Sequence, residues 1–254
     1  MSIGHDLAMA LDPVLLAEAA GIEPDDVWQR AVLRGGASRV LLNIHRQAGK
    51  STIAALIAVH DAVFAANSLV LILSPSLRQS GLVQRKVMHV YNAVGRPVAA
   101  TEESALQLTL ANGSRIVALP GQEGTVRGFS GVTRLILDEA SRIPDELYYA
   151  VRPMLAVSGG RLLAMSTPYG KRGFFFEEWE HGGPDWARVR VTADRCERIP
   201  AAFLEEERAT LGPYWFAQEY EARFMETVDQ VFGYDVVMGA LTDGVTPLFA
   251  AQER

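Results

Sequence analysis

The chain has 254 residues with a formal net charge of −6, and 49% of its residues are hydrophobic against 21% charged. This composition is typical of an ordinary globular protein, and the length predicts one large domain or two small ones. The acidic balance argues against a domain that coats DNA by bulk electrostatics. The single cysteine, Cys196, cannot form an internal disulfide, which is typical of a reducing compartment. Neither a signal peptide nor a membrane-spanning run is predicted, so we expect a cytoplasmic protein.

The predicted elements alternate between helices and apolar strands. In chain order they are a short helix within 24–36, a strand at 39–44, a helix from Lys50, a strand at 68–76, a helix within 77–95, a hairpin within 105–121, a strand at 134–140, a helix from about Pro144, a strand at 161–168, and two helices within 200–224 broken at Gly212-Pro213. This alternation predicts an α/β fold with a mostly parallel sheet covered on both faces.

The segment "HRQAGKST" (45–52) ends in the Gly-Lys-Ser of a phosphate-binding loop. It lies between a predicted strand and a long helix, where loop amides and the helix N-terminus can converge on phosphate. Lys50 would neutralise phosphate oxygens, and the hydroxyl of Ser51 would bind Mg²⁺. The G-x-x-x-x-G-K-[ST] pattern usually opens with glycine, but Ile44 stands there, so the entry to the loop must differ from the usual one.

The segment "LILDEAS" (135–141) ends a second apolar strand with two adjacent acids. Asp138 would hold the metal, and Glu139 would polarise an attacking water. The alternative is an acidic helix-capping pair. Because both motifs follow strands in the expected order, we predict neighbouring strand ends, one carrying Lys50 and the other the acidic pair, that close around a metal-bound triphosphate.

Together these segments resemble the ATPase domain of the large terminase subunit, the motor that packages DNA into tailed bacteriophage heads. The family often replaces the first loop glycine and carries an arginine inside the loop, as in "RQAGKS" (46–51). Further similar segments are "VWQ" (27–29), "SPSLRQS" (74–80), "GTVRGFSG" (124–131), "MSTPYG" (165–170) and "FAQEYEARF" (216–224). The resemblance implies a P-loop NTPase fold of the ASCE/RecA-like type with a small helical and hairpin subdomain, and it implies ATP and Mg²⁺ as cofactors.

The resemblance also implies roles for individual residues. The catalytic candidates are Glu139, Arg46, Arg127 and Lys50. The nucleotide-binding candidates are Trp28, Gln29, Arg46, Gln47, Ala48, Gly49, Lys50, Ser51 and Thr52. Ser51 and Asp138 would be the metal ligands. Ser166 and Thr167 would couple nucleotide state to movement, although a hydroxyl-rich turn before Pro168 is the alternative.

The implied domain organisation is a helical lead-in at 1–26, an ATPase domain with its helical subdomain at 27–232 and a linker-like tail at 233–254. Family members usually continue into a nuclease domain, for which no room remains before Arg254. We therefore expect either an excised ATPase domain or a natural protein whose nuclease is encoded elsewhere.

The implied function is ATP hydrolysis that drives double-stranded DNA into a viral procapsid. The implied partners are DNA, a portal protein and the small terminase subunit, with a homo-oligomeric ring on the portal and a monomer in isolation. The setting would be the bacterial cytoplasm, with a phage or prophage gene. The alternatives are a fragment of a DEAD-like helicase or translocase, and a nucleotide-gated assembly module that does not hydrolyse ATP. The basic residues Arg78, Arg85 and Lys86 could contact DNA phosphates or form a solvated helix face.

Overall fold

The computed structural model describes residues 3–24, 26–126, 128–226 and 234–241. The strands are β1 (Arg39–Ile44), β2 (Leu69–Ser74), β3 (Ala100–Glu103), β4 (Gln107–Leu110), β5 (Arg115–Pro120), β6 (Arg134–Asp138), β7 (Arg161–Ser166) and β8 (Trp186–Val191). The α-helices are α1 (Ile3–Leu11), α2 (Pro13–Ala19), α3 (Val27–Arg34), α4 (Lys50–Phe64), α5 (Leu77–Ala93), α6 (Glu123–Val126), α7 (Asp145–Val151), α8 (Gly173–Glu180), α9 (Ala201–Glu219) and α10 (Tyr234–Ala240). Short 3₁₀ turns occur at Ala140–Arg142, Arg152–Leu155 and Ala193–Arg195.

The described strands form one sheet in the order β3-β4-β5-β2-β6-β7-β1-β8. The six strands from β5 to β8 in this order run parallel, and β3 and β4 join antiparallel at one edge. The predicted hairpin therefore exists as β4 and β5, and it extends the main sheet. The mostly parallel α/β sheet predicted from the sequence is confirmed.

The sheet is covered on both faces, as the alternation along β6 shows. Ile136 belongs to the core cluster that contains the buried face of α4, whereas Leu135 and Leu137 belong to the cluster that contains residues of α7 and α8. Successive strand residues point to opposite faces, so a strand buried on both faces is apolar throughout. This explains why β2 and β6 are continuous apolar runs in the sequence.

One predicted arrangement is wrong. The strand ends that carry Lys50 and the acidic pair are not neighbours, because β7 lies between β1 and β6 and pairs with both. β7 comes later in the chain than either strand, and local sequence pattern does not encode the order of strands in a sheet. All three strands are parallel, so their carboxyl ends still meet at one edge, with the end of β7 in the middle.

The predicted break in the late helical region is present at Gly212, whose φ of 72° and ψ of 171° interrupt α9. The sequence reading missed β3, β8 and α8, and it gave no element at α10. At the N-terminus, Val14 and Leu16 of α2 are buried in the same core cluster as α4. No helix in the described part of the chain is long and apolar enough to cross a membrane.

Candidate nucleotide-binding site

The loop between β1 and α4 turns without a glycine at its entrance. Ile44 ends β1 as a fully buried core residue. The left-handed backbone positions are instead Gln47, with φ of 62°, and Gly49, with φ of 90°, which is the N-cap of α4. Glycine adopts this conformation without strain, so the turn falls immediately before Lys50. The loop thus keeps the glycine that the pattern places before the lysine, and its first position is a buried strand residue.

The ammonium of Lys50 lies beneath this loop. Its Nζ donates to the carbonyl oxygens of Ile44 at 3.2 Å and His45 at 3.0 Å, and to Thr167 Oγ1 at 3.3 Å. Burial lowers the pKa of Lys50, and the charges of Glu139 and Asp138 oppose that effect. The lysine is therefore a buried cation held between the loop, the end of β7 and the acidic pair.

A cavity of about 260 Å³ lies beside the first turn of α4. Its lining residues are Ser51, Gln79, Leu82, Val83, Lys86, Asp138 and Glu139. Asp138 is only 5% exposed, and its Oδ1 has no hydrogen-bond partner among the described residues. Burial, with the neighbouring charge of Glu139, raises the pKa of Asp138 to about 7, against the effect of Lys50. Two carboxyl groups and a hydroxyl of the predicted site thus share one cavity.

These groups fit a magnesium ion. Mg²⁺ takes oxygen ligands and is commonly held by one or two protein groups together with substrate phosphates. The unpartnered Oδ1 of Asp138 and the hydroxyl of Ser51 supply two such groups at the same cavity. No cluster of three or more His, Cys, Asp or Glu side chains suited to a metal occurs in the described ranges. These two donors therefore suit a metal ion that takes its remaining ligands from substrate phosphates, rather than an ion bound by protein groups alone.

Glu139 has a left-handed backbone conformation, with φ of 51° and ψ of 45°. This conformation is uncommon for a residue with a side chain, and it persists where the surrounding structure enforces it, often at functional sites. The chain turns sharply there from β6 into the 3₁₀ turn. Glu139 is consequently half-buried at the cavity wall, whereas Asp138 is buried.

The end of β7 contacts both sides of the site. Ser166 Oγ lies 2.7 Å from Ser141 Oγ, and Ser141 Oγ donates to the carbonyl of Thr167 at 2.8 Å. Thr167 also accepts a hydrogen bond from Lys50. Ser141 was not among the predicted site residues, although its hydroxyl stands two positions after Glu139 in the acidic motif. The two β7 residues thus connect the lysine to the turn that follows the acids.

The segment before β1 packs against the loop. Gln29 is buried, and its Nε2 donates to the carbonyl of Ala48 at 3.2 Å. Trp28 is half-buried and packs against the core cluster that contains α4. Arg198, which the sequence analysis did not select, donates to the same Ala48 carbonyl at 3.4 Å and pairs with Asp26 at 2.9 Å. Both polar contacts end on the loop carbonyl of Ala48.

Arg46 is tied to the C-terminal end of α9. Its guanidinium pairs with the carboxylate of Glu219, and its backbone N–H donates to the Glu219 carbonyl at 3.3 Å. The Arg46 side chain is 61% exposed and that of Glu219 is 14% exposed. Glu219 lies in "FAQEYEARF", so the resemblance marked its segment but gave no role for the residue.

The remaining predicted residues fall in different places. Gln47 is exposed on the loop, and Thr52 Oγ1 lies 3.5 Å from Lys86 Nζ. Arg127 lies outside the described residues. Lys86 was predicted to contact DNA or to lie on a solvated helix face, and it lines the cavity together with Gln79. Their i, i+7 spacing indicated that the two residues share one face of the helix after β2.

A phosphate-loop motif after β1 and an acidic pair after β6, at the carboxyl edge of a parallel sheet, define the fold of a P-loop NTPase. Residues 41–236 match the family described as "Terminase large subunit, T4likevirus-type, N-terminal". The chain belongs to this family.

Known relatives give the same assignment. The chain is 29% identical over 257 residues to the terminase large subunit of Thermus virus P23-45, which covers 87% of this chain and 53% of the relative. It resembles the solved large terminase ATPase domain of Thermus phage P74-26 with a TM-score of 0.72 and 25% identity, over 82% of this chain and 97% of that one. The ADP complex of the large terminase of the thermophilic bacteriophage D6E shares the fold, with a TM-score of 0.63 and 13% identity over 80% of this chain and 54% of that one. The chain spans about half the length of the curated relatives it matches.

Proposed function

We propose that this chain is an ATPase that powers translocation of double-stranded DNA into a viral procapsid, as the N-terminal part of a large terminase. The observation that carries the proposal is the meeting of Ser51, Asp138 and Glu139 at one cavity, with Lys50 buried beside them. Membership of the terminase family supports the reaction and its use in DNA packaging.

The loop binds the triphosphate in this proposal. Lys50 releases its loop carbonyls and donates to the β- and γ-phosphate oxygens, while the backbone amides from Gln47 to Thr52 surround the phosphates. Arg46 stabilises the charge that develops as the γ-phosphoryl group leaves. Gln29 and Trp28 border the adenine, the first as a hydrogen-bonding group and the second mainly as a packing residue.

Magnesium dependence belongs to the same proposal. Ser51 and Asp138 would hold the ion, which would neutralise phosphate charge when bound. Asp138 must be ionised for this role, and nearby Lys50 favours its charged form.

Glu139 acts as the residue that orients and polarises the attacking water. Glu139 lines the same cavity as Asp138 but follows it in a left-handed turn, so one acid can serve the metal while the other polarises the water. Arg127 is the candidate for an arginine finger on the γ-phosphate, within its own subunit or in a neighbour's site.

Ser166 and Thr167 would couple hydrolysis to movement. Their hydrogen bonds to Ser141 and Lys50 support this role, because a shift of Lys50 towards phosphate must break or redirect the bond to Thr167.

DNA, the portal protein and the small terminase subunit are the proposed partners, in a homo-oligomeric ring that assembles on the portal in the host cytoplasm. Residues 27–232 are the proposed motor domain, with 1–26 as the lead-in and 233–254 as the linker.

The test is steady-state ATPase with Glu139→Ala and Lys50→Ala. Glu139→Ala loses a positioned general base, and we expect it to lower the rate about 10²–10⁴-fold. Lys50→Ala loses a charge that stabilises the transferring phosphoryl group, and we expect it to lower the rate about 10²–10³-fold. Glu177→Ala, an exposed acid on α8, is the matched control and should keep the wild-type rate.

Turnover close to the wild-type rate in either variant would remove the catalytic assignment. ATP binding without turnover in the wild type, even with DNA and the portal present, would favour a nucleotide-gated assembly module.

A further inference from the structure

Helix α5 presents one face to the nucleotide cavity. The α5 residues that line the cavity are Gln79, Leu82, Val83 and Lys86. Their spacing of i, i+3, i+4 and i+7 places them on a single side of a helix. Arg78 and Arg85 are each one position away from this set and are rotated about 100° around the helix axis.

The side chain of Lys86, on α5, reaches the first turn of α4. Its Nζ is 3.5 Å from Thr52 Oγ1, next to Ser51, and its charge acts on Asp138. It makes no ion pair within 4 Å with any residue in the described ranges. The cavity that the acidic pair lines is therefore also lined by an ammonium that forms no ion pair within the described ranges.

The position of Glu139 identifies which phosphate this ammonium faces. A water polarised by Glu139 must lie in line with the terminal phosphorus atom, so the part of the cavity near Glu139 is where the γ-phosphate belongs. Lys50 reaches the phosphates from beneath the loop and does not line this cavity. Lys86 and Glu139 do line it together.

We propose that Lys86 contacts the γ-phosphate from α5 and makes the site prefer ATP over ADP. The inference rests on the proposed nucleotide site and adds a specificity-determining residue to it. ADP lacks the γ-phosphate that the Lys86 ammonium faces, so the contact contributes to the binding of ATP and not to that of ADP. A lysine is suited to this role as a point charge with three donors.

The test compares the binding of ATPγS and ADP, each with Mg²⁺, by calorimetry on the full chain. We expect Lys86→Ala to weaken ATPγS binding about tenfold, the size expected for one lost hydrogen bond between charged groups, and to leave ADP binding within about twofold. Lys86→Arg, which keeps the charge, should restore part of the preference.

Arg85→Ala is the matched control. Arg85 is exposed on the same helix and does not line the cavity, and its Nη1 is 3.9 Å from a Cβ placed at Gly81, one turn earlier. We expect this variant to keep the wild-type affinities for both nucleotides. Melting curves of all variants check that the fold is retained.

The ratio of the two dissociation constants is decisive, because a merely structural defect would weaken both nucleotides alike. Equal losses of affinity for ATPγS and ADP in Lys86→Ala, or no loss for either, would overturn the inference. The proposed function would still stand in that case, provided that the wild type binds nucleotide and Lys50→Ala does not. If the wild-type protein binds neither nucleotide, both the inference about Lys86 and the proposed function are wrong.

Discussion

Two adjacent carboxyl residues occupy very different surroundings at the end of β6. Asp138 completes a strand that is buried along its whole length, and its carboxyl carries a raised pKa because water is excluded. Glu139 follows in a left-handed turn and is half-buried. The sequence predicted both acids, but it could not predict their different burial, which depends on the strands to either side of β6.

The raised pKa of Asp138 predicts a pH-dependent stability. Between pH 3.8 and about 7 the folded protein holds a proton on Asp138 that the unfolded chain has released, so this group makes stability fall as pH rises through that window. Asp138→Asn removes the buried charge. Without Mg²⁺ we expect the variant to melt higher than the wild type at pH 8, by roughly 3 °C or more, since ~1 kcal/mol shifts the Tm of a domain this size by ~2–4 °C.

The difference should shrink as the pH falls towards 4, where the wild-type carboxyl is also neutral. Thermal melts in EDTA across this range measure it, and Asp185→Asn, whose side chain is 77% exposed, is the matched control. A Tm difference that is the same at both ends of the range would contradict the burial account.

At the scale of elements, the long apolar or strongly periodic segments were predictable and the edge segments were not. β1, the helix from Lys50 and the hairpin could be read because local pattern and burial agree in them. The sequence "WARVRV" of β8 carries two arginines and only its two end residues are buried, since β8 pairs with β1 alone at the edge of the sheet. The alternation of valine and arginine is a strand signal, but it covers few residues and was missed.

Two glycines in helical regions should respond to alanine with opposite signs. Gly81 lies inside α5, where an added Cβ has Arg85 Nη1 at 3.9 Å as its nearest neighbour among the described residues outside the local helix backbone. Gly212 breaks α9 with φ of 72° and ψ of 171°, a conformation almost confined to glycine. We expect Gly81→Ala to stabilise the protein by ~0.4–1 kcal/mol and Gly212→Ala to destabilise it by about 1–3 kcal/mol.

Chemical denaturation of the two variants against the wild type measures both changes. Within the described ranges, and apart from its neighbours in the chain, no atom lies within 4 Å of a Cβ at Gly212, so a loss there would come from the backbone and not from a clash. An unchanged or increased stability of Gly212→Ala would show that the two halves of α9 can join without the break.

At the scale of the whole molecule, strand order decides how the site is assembled. The sequence identified the lysine and the acids but predicted that their strands are neighbours. The insertion of β7 instead places Ser166 and Thr167 between them. Lys86 and Glu219 were assigned no role in the site because their positions depend on how α5 and α9 pack against the sheet, which local sequence does not show either.

The proposed ring predicts complementation between inactive subunits. We expect the isolated chain to be a monomer with slow ATPase, because a finger supplied in trans is worth about 10³–10⁵ in rate and needs a neighbour. In a randomly mixed ring of Arg127→Ala and Glu139→Ala subunits, about one interface in four joins an intact Glu139 to an intact Arg127. ATPase assays on rings verified by sedimentation should then show activity that neither variant has alone, and an inactive mixed ring would argue against action in trans.

The pairing of Arg46 with Glu219 connects the loop before α4 to the last residue of α9. Two equilibria that share a contact influence each other by the same factor. If nucleotide in the loop weakens the contact of Arg46 with Glu219 by some factor, then a force on α9 that separates this pair must change the nucleotide affinity by that factor. Mechanical load on that helix and nucleotide occupancy of the loop would in that case be thermodynamically linked through a single ion pair.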